Sequence, residues 1–560
     1  MIPVSKTLET DIAVVGGGIG GLCAAIAAAE GGARVMVLEK ANTKRSGSGA
    51  TGNDHFACYY PKHHGGDIRP ILRELLDSLV GLCHDPLLSL RFLERSISIV
   101  DKWHEWGINM KPFADDYVFM GHAYPDRPRI WLKYDGHNQK EALTRQAKTV
   151  GVTIVNHHPA VDLMRDEQGI TGVLTLDVSG EPPSFTFVKA RKVILATGTA
   201  NRLYPAAGSP GWPFNTAFCP ACAGAAQAQG WRIGAKLVNM ELPNRHAGPK
   251  FFARAGKSTW IGVYRYPDGK LLGPFVDKAT REVGDITCDV WNSAYTDVLM
   301  NGTGPAYIDC TGTGPEDMAF MREGMASEGL TGLLNYMDEK GIDPSKHAVE
   351  FMQYEPHLIG RGLEIDIDGQ TSVPGLYATG DMVGNFRADI AGAAVYGWIA
   401  GEHAAAHLGD GPLADIENTP WAQERMAYYS RFMERPSGAH WKEANLALQQ
   451  IMADYAAGPH RVRSATLLNA GLKYLADLRR NAEAEIAASD AHTLLRAIET
   501  LDLIDNGEIV MHGALERKES RGMHQRSDFT FTNPLLSDKF LTLRKEQGRI
   551  IPEWRQRWTA

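Results

Sequence analysis

The stretch "TDIAVVGGGIGGLCAAIAAAEGGARVMVLEK", Thr10 to Lys40, constrains the fold more than any other part of the 560-residue chain. An apolar run, a glycine cluster, an alanine-rich segment and a second apolar run ending in an acid read as strand, turn, helix and strand, a βαβ unit. Gly16, Gly18 and Gly21 satisfy the spacing G-x-G-x-x-G, with Gly20 inside it. Gly16 permits the tight turn, Gly18 lets the backbone approach a pyrophosphate, and Gly21 lets helix and strand pack closely. The N-terminus of the helix attracts phosphate charge. Glu39 stands where a carboxylate can accept hydrogen bonds from ribose hydroxyls. A dinucleotide site is expected here rather than a plain tight turn.

Two later segments extend the site. "RKVILATGTANR" places Ala196, Thr197 and Gly198 after an apolar strand, and "VPGLYATGDMVG" ends another strand with Gly380 and Asp381. Small residues at strand ends suit close backbone approach at the carboxyl edge of a parallel sheet. A nucleotide that crosses three dispersed segments is longer than one βαβ unit holds, which points to FAD. The loop "RSGSGATGN" follows Glu39 and Lys40 and carries Arg45, Ser46, Gly47, Thr51, Gly52 and Asn53. Its near absence of side chain leaves room for the cofactor. Ala160 and Val161, in the return leg "HHPAVDLMRDEQGITGV", are counted with the cofactor contacts, as are Ala391 and Ala394 in "DIAGAAVYG".

Composition excludes several function classes. The apolar fraction of 44% and charged fraction of 22% are those of a globular protein, and a net charge of −8 gives no general attraction to nucleic acid or anionic membrane. Neither a secretory signal nor a run of ~20 apolar residues is read, so direct membrane insertion is not expected. Seven scattered cysteines fit a reducing, cytoplasmic setting. The close pair in "CPAC", Cys219 and Cys222, is read as two small buried residues ahead of a helix rather than as a redox or metal site, and no metal is expected.

The expected class is α/β. Residues 1–248 and 349–420 form a two-part Rossmann-type FAD-binding domain, 249–348 an inserted α+β capping domain, and 421–560 a C-terminal helical domain with 3.6-residue periodicity.

The glycine motif, the "ATG" strand, "VPGLYATGD" and the late "RKESRGMHQRSDF", in that order and spacing, resemble the fumarate reductase and succinate dehydrogenase flavoprotein family, which includes L-aspartate oxidase and the α chain of adenylylsulfate reductase. The resemblance covers nearly the whole chain and implies FAD beneath a mobile capping domain. It further implies that His246, in "MELPNRH", and His357, in "EPHLIGRG", bind a substrate carboxylate, and that Arg387, in "GNFRADIAG", clamps it. Arg361 replaces part of a glycine pair and is directed toward the pocket. Family chemistry is hydride transfer between flavin N5 and a carbon–carbon bond, with an arginine giving the proton; Arg254 and Arg281 are the candidates here.

Read from the residues alone, the basic cluster around His246 and Arg254 favours an anion pocket over a solvated loop. His357 stands evenly between pocket ligand and core histidine, and Arg281 leans toward an ion pair with Glu282 or Asp285. The segment at Arg521 and His524 reads as a structural clamp.

The expected activity is FAD-dependent reduction of an unsaturated acid or the reverse dehydrogenation. Alternatives are a flavoprotein like that of adenylylsulfate reductase, or an FAD-binding electron-transfer component of a complex. The expected partners are a small anionic substrate and a separate electron donor or acceptor such as an iron–sulfur protein. Where membrane-bound relatives carry a histidine that bonds the flavin, this chain has Gly47, so the FAD is expected to be non-covalent.

Overall fold

The computed structural model describes residues 1–77, 83–119, 127–206, 213–250, 260–272, 279–281, 298, 301–457 and 462–558. Its central sheet holds β1 (Val4–Val15), β2 (Val35–Leu38), β3 (Thr153–Val155), β4 (Ala160–Arg165), β5 (Ile170–Asp177) and β6 (Ser184–Leu195) in the order β3-β2-β1-β6-β5-β4. The end of β1 sits between β2 and β6, both parallel to it. Ile12 to Val15 are accordingly buried on both faces and wholly apolar, as a central parallel strand requires. Burying the Ile12, Val14 and Val15 side chains contributes about 1.5–3 kcal/mol each.

Helix α1 (Ile19–Glu30) follows the glycine turn. It packs against a later helix, Asp389–Ala406, with almost no side chain between them. A Cβ on Gly397 would lie 2.3 Å from the Gly20 carbonyl, and one on Gly401 would lie 2.2 Å from the Ala24 carbonyl. This close crossing brings the N-termini of both helices to one edge of the sheet.

The inserted domain has its own antiparallel sheet, β8-β11-β10-β9, built from β8 (Ala247–Pro249), β9 (Val263–Arg265), β10 (Ala306–Asp309) and β11 (Val349–Gln353); β7 (Leu237–Val238) lies outside it. Trp260, Ile308, Met321, Met325 and Phe351 form a core separate from the main one. The first and last strands, β8 and β11, pair with each other from Ala247↔Gln353 to Pro249↔Phe351. The cap sheet therefore overruns 249–348 by a few residues at each end.

After β12 (Gly362–Leu363), β13 (Leu376–Ala378) returns the chain to the central sheet, parallel to β6. The C-terminal part contains the helices Pro420–Glu434, Trp441–Ile451, Ala465–Glu485 and Ala491–Glu516. It is not helical throughout, as its periodicity leads one to expect, because it closes in a hairpin of β14 (Lys539–Glu546) and β15 (Arg549–Gln556). Gln547 and Gly548, both at positive φ (48° and 77°), make the two-residue turn whose twist suits a hairpin. β14 pairs with β7, fastening this end of the chain to the FAD domain.

Candidate functional site

Strand register sets the level of the site. Val15 pairs with Leu38 and with Leu195, and Leu195 pairs with Ala378. Gly16, Glu39, Ala196 and Thr379 therefore leave the sheet side by side at its carboxyl edge, where α/β folds place ligands. A cavity of about 1080 Å³ opens there. Its walls include Gly16, Gly18, Gly20, Glu39, Lys40, the whole loop Arg45 to Asn53, Ala160, Ala196 to Gly198, Gly380 and Asp381.

Four expected cofactor residues are not on the wall. Gly21 is beneath it, where a Cβ would stand 1.9 Å from the Gly16 carbonyl, so its role is helix-to-turn packing. Val161 is buried, and its strand neighbour Ala160 lines the cavity instead. Ala391 and Ala394 are buried on the inner side of their helix, while Asp389, Ile390 and Ala393 face the cavity. The close contact with α1 fixes that rotation.

The loops around the cavity are held from below. The Glu39 carboxylate accepts from the Gly17 and Ala41 N–H groups, each at 2.7 Å. Lys140, buried on the helix Gln139–Thr149, donates to the Gly17 carbonyl, and Gln139 donates to the Gly49 carbonyl at 2.8 Å. Neither is signalled in the sequence, because both lie far from the glycine motif. The Ser46 hydroxyl is buried without a hydrogen-bond partner among the described residues. Burial, reinforced by Asp389, pushes the Asp381 carboxyl up to about 6.

At one end of the cavity, two chain segments are stitched together. The Asn244 N–H donates to the His357 carbonyl and the His357 N–H to the Asn244 carbonyl, both at 2.9 Å. This bridge stacks the His246 and His357 rings at 5.2 Å, with Phe218 edge-on to each at 5.4 and 4.9 Å. Arg387, buried, donates through Nη2 to His246 Nε2 at 3.0 Å and through Nε to Asp389 Oδ1 at 2.8 Å. His246, Arg387, Asp389 and Arg245 line the cavity, and His357 stands just behind its wall.

His357 Nδ1 accepts from the Ile359 N–H at 3.3 Å, which leaves the proton on Nε2. That Nε2 is buried without a hydrogen-bond partner among the described residues. Burial first, reinforced by the charge of Arg387, holds His357 well below the usual histidine range, so it is a neutral donor.

The remaining candidates lie elsewhere. Arg361 does not reach the pocket: its guanidinium donates to the Leu242 carbonyl and, at 2.7 Å, to the Gly360 carbonyl. Arg281 is in the cap, paired with Asp317 at 2.5 Å and Glu316 at 2.9 Å, and is not on the cavity wall. Arg254, Glu282 and Asp285 lie outside the described residues. His524 and Arg521 belong to a buried clamp. Arg517 binds Glu241 at 2.7 Å and Glu519 at 2.8 Å, Arg521 binds Glu519 at 2.8 Å, and His524 bonds Arg463 and the Arg517 carbonyl.

The cap reaches the cavity through Glu328, next to His55. His55 is held by Asp54 at 2.5 Å, and Asp54 is held in turn by Lys133 at 2.7 Å. No local sequence signal joins these residues.

The FAD binding domain family matches residues 11–393, and the fumarate reductase flavoprotein C-terminal family matches residues 445–546. The chain belongs to the fumarate reductase and succinate dehydrogenase flavoprotein family. Among curated relatives of this flavoprotein, one of the subunits of the fumarate reductase (CoM/CoB) of Methanothermobacter marburgensis is 23% identical, over 98% of this chain and 99% of that one. L-aspartate oxidase of Mycobacterium tuberculosis is 25% identical, over 94% and 93%. Among solved structures, adenylylsulfate reductase of Archaeoglobus fulgidus superposes with a TM-score of 0.83 at 21% identity, covering 100% of this chain and 97% of that one. A quinol fumarate reductase chain of E. coli gives 0.82 at 21%, covering 99% and 98%.

The flavoprotein's cavity fits the FAD that its family binds. A glycine turn at a helix N-terminus could receive the pyrophosphate, small residues from Ser46 to Gly52 leave space along it, and the Ser46 hydroxyl and Asp381 carboxyl could bond its hydroxyl or phosphate groups. The flavoprotein is an FAD-dependent oxidoreductase. Among the described residues, no helix is long and apolar enough to cross a membrane.

Proposed function

We propose that this flavoprotein reduces the carbon–carbon double bond of a small unsaturated carboxylic acid, or runs the reverse dehydrogenation. The observation that carries this reading is the convergence of Arg387, His246 and His357 at one end of the FAD cavity. Bound flavin supplies the hydride at N5. Arg387, always charged, pairs with the substrate carboxylate, and Asp389 fixes the plane of the guanidinium. His357 offers its Nε2 proton to the same anion without adding charge. Phe218 packs edge-on against both rings and holds their stacked orientation.

Arg281 is committed to Asp317 and Glu316, so this reading assigns the proton to Arg254. An arginine can give one only where the site raises its acidity and a relay restores it. Several relatives are named as subunits, which supports a separate protein, such as an iron–sulfur protein, as the source of electrons.

The test is an anaerobic titration of chemically reduced, FAD-loaded protein with a panel of unsaturated acids, followed by the flavin spectrum. Reoxidation by fumarate-like acids is expected, lost in R254Q with FAD retained. A spectral shift with sulfite and AMP but no response to enoates would replace this reading with an adenylylsulfate-reductase-like one. Silence toward every anion, with stable copurification of an iron–sulfur protein, would leave only an electron-transfer role.

A further inference from the structure

Cys219 and Cys222 line the wall of the FAD cavity, and the hydride chemistry proposed above uses neither. They bracket a tight turn in which the Cys222 N–H donates to the Cys219 carbonyl at 3.0 Å. Asn201 fastens both ends. Its side-chain amide donates to the Cys219 carbonyl at 2.7 Å, and its backbone N–H donates to the Cys222 carbonyl at 2.9 Å. Lys40 secures the middle by donating to the Ala221 carbonyl. Within this turn the two thiols lie close enough for each to shift the other's titration. Cys222 is buried against Gly198, where an added Cβ would lie 3.0 Å from its Sγ, whereas Cys219 is half-buried.

Of the two wall cysteines, Cys219 is thus the more exposed and Cys222 the more buried. Thiol–disulfide exchange needs that division between an attacking and a resolving cysteine. The neighbouring Cys222, with help from the Ala221 N–H and the Lys40 charge, draws the Cys219 thiol down to about 6. Cys222 is pushed well above the ordinary thiol range by the same pairing and by burial.

We propose that Cys219 and Cys222 form a redox-active dithiol on the flavin cavity wall whose ligand is a small-molecule disulfide or the corresponding thiol. The Cys219 thiolate attacks one sulfur of the small disulfide, forming a mixed disulfide and expelling one thiolate, which takes up a proton. Cys222 then loses its proton to solvent and attacks the Cys219 sulfur, closing the intramolecular disulfide and releasing the second thiolate, which is also protonated. The two cysteines lose two electrons, and the small disulfide gains them as two thiols. Excess thiol drives the same steps backward.

The test equilibrates anaerobic, FAD-loaded protein with glutathione at graded ratios of disulfide to thiol, followed by acid quench, alkylation and peptide mass mapping. The Cys219–Cys222 disulfide is expected to form as the ratio rises and to reopen as it falls, while buried Cys23 and Cys58 stay reduced. C222S should accumulate glutathione on Cys219, and C219S should leave Cys222 unmodified. In the resting wild-type protein, iodoacetamide should label Cys219 with a pH midpoint near about 6. Two free thiols at every ratio would overturn the proposal, and so would a labelling midpoint at the ordinary thiol value of about 8.5. Glutathione on Cys219 of C222S without a wild-type disulfide would overturn it as well.

Discussion

Nη2 of Arg387 donates to Nε2 of His246 across 3.0 Å. Because arginine remains protonated, the ring nitrogen must accept, and His246 is held neutral with its proton on Nδ1. The pair presents one fixed positive charge to the cavity. A substrate anion that binds Arg387 meets a donor already oriented by Asp389 and by the histidine.

Removing either partner should cost substrate affinity before it costs cofactor. Charge-assisted hydrogen bonds contribute about 1.5–3 kcal/mol, so R387Q and H246A should each raise KM for the best acid by about 10-fold to 100-fold. Steady-state kinetics beside the flavin-to-protein absorbance ratio checks this. Loss of FAD in both variants would show that the cluster holds the cofactor and not the substrate.

Two glycines at the cofactor should respond oppositely to a methyl group. G21A places a Cβ 1.9 Å from the Gly16 carbonyl, a backbone atom that cannot give way, so the variant should purify without flavin and melt at lower temperature. Gly47 has wider surroundings, with Gly18 Cα 3.6 Å from the added carbon, and only the positive φ of 80° opposes the change. G47A should cost about 1–2 kcal/mol and keep its FAD, as read by absorbance and thermal unfolding.

If Gly47 takes the place of the flavin-bonding histidine that the family resemblance implies, the FAD is held without a covalent link. Acid precipitation of the holoprotein should release yellow flavin into the supernatant. Colour that remains in the washed pellet would refute non-covalent binding.

The acid limit of stability should report on Glu499. This buried carboxylate binds Lys40 at 2.7 Å, Arg202 at 2.5 Å and Arg496 at 2.6 Å. Against the cost of burial, these charges bring it down to about 2. A depressed acid stabilises the fold above its unfolded value of about 4.5, and that contribution is lost as pH falls toward 2. Integrated over the shift it is on the order of 3 kcal/mol. Wild-type protein should lose stability more steeply than E499Q between about pH 4.5 and 2 in denaturant titrations, and E499Q should be less stable at pH 7.

The cofactor half of the site is legible in the sequence because its signals are local. A glycine turn, an acid at a strand end and the two small-residue strand ends each carry their meaning within a few positions. The helix at Asp389 reads one face out, since Ala391 and Ala394 are as small as Ala393 and only packing against α1 selects among them. The partners of Arg387 are half legible: a resemblance suggests the histidines, but Asp389 and Phe218 join them only through tertiary folding. The hairpin at Gln547 and Gly548 is hidden because the helical periodicity before it is strong and its turn signal is two residues long.

The cap hangs from the main body by β8 and β11, a paired couple of strands. His246 immediately precedes β8, its carbonyl accepts from the Tyr354 N–H at 2.8 Å just past β11, and His357 follows three residues later. The strands that join the cap to the main body and the two histidines proposed to grip the substrate are therefore one continuous stretch of paired backbone. A displacement of the cap would be felt at both stacked imidazoles, and an anion bound at His246 and Arg387 would load the same two strands in return.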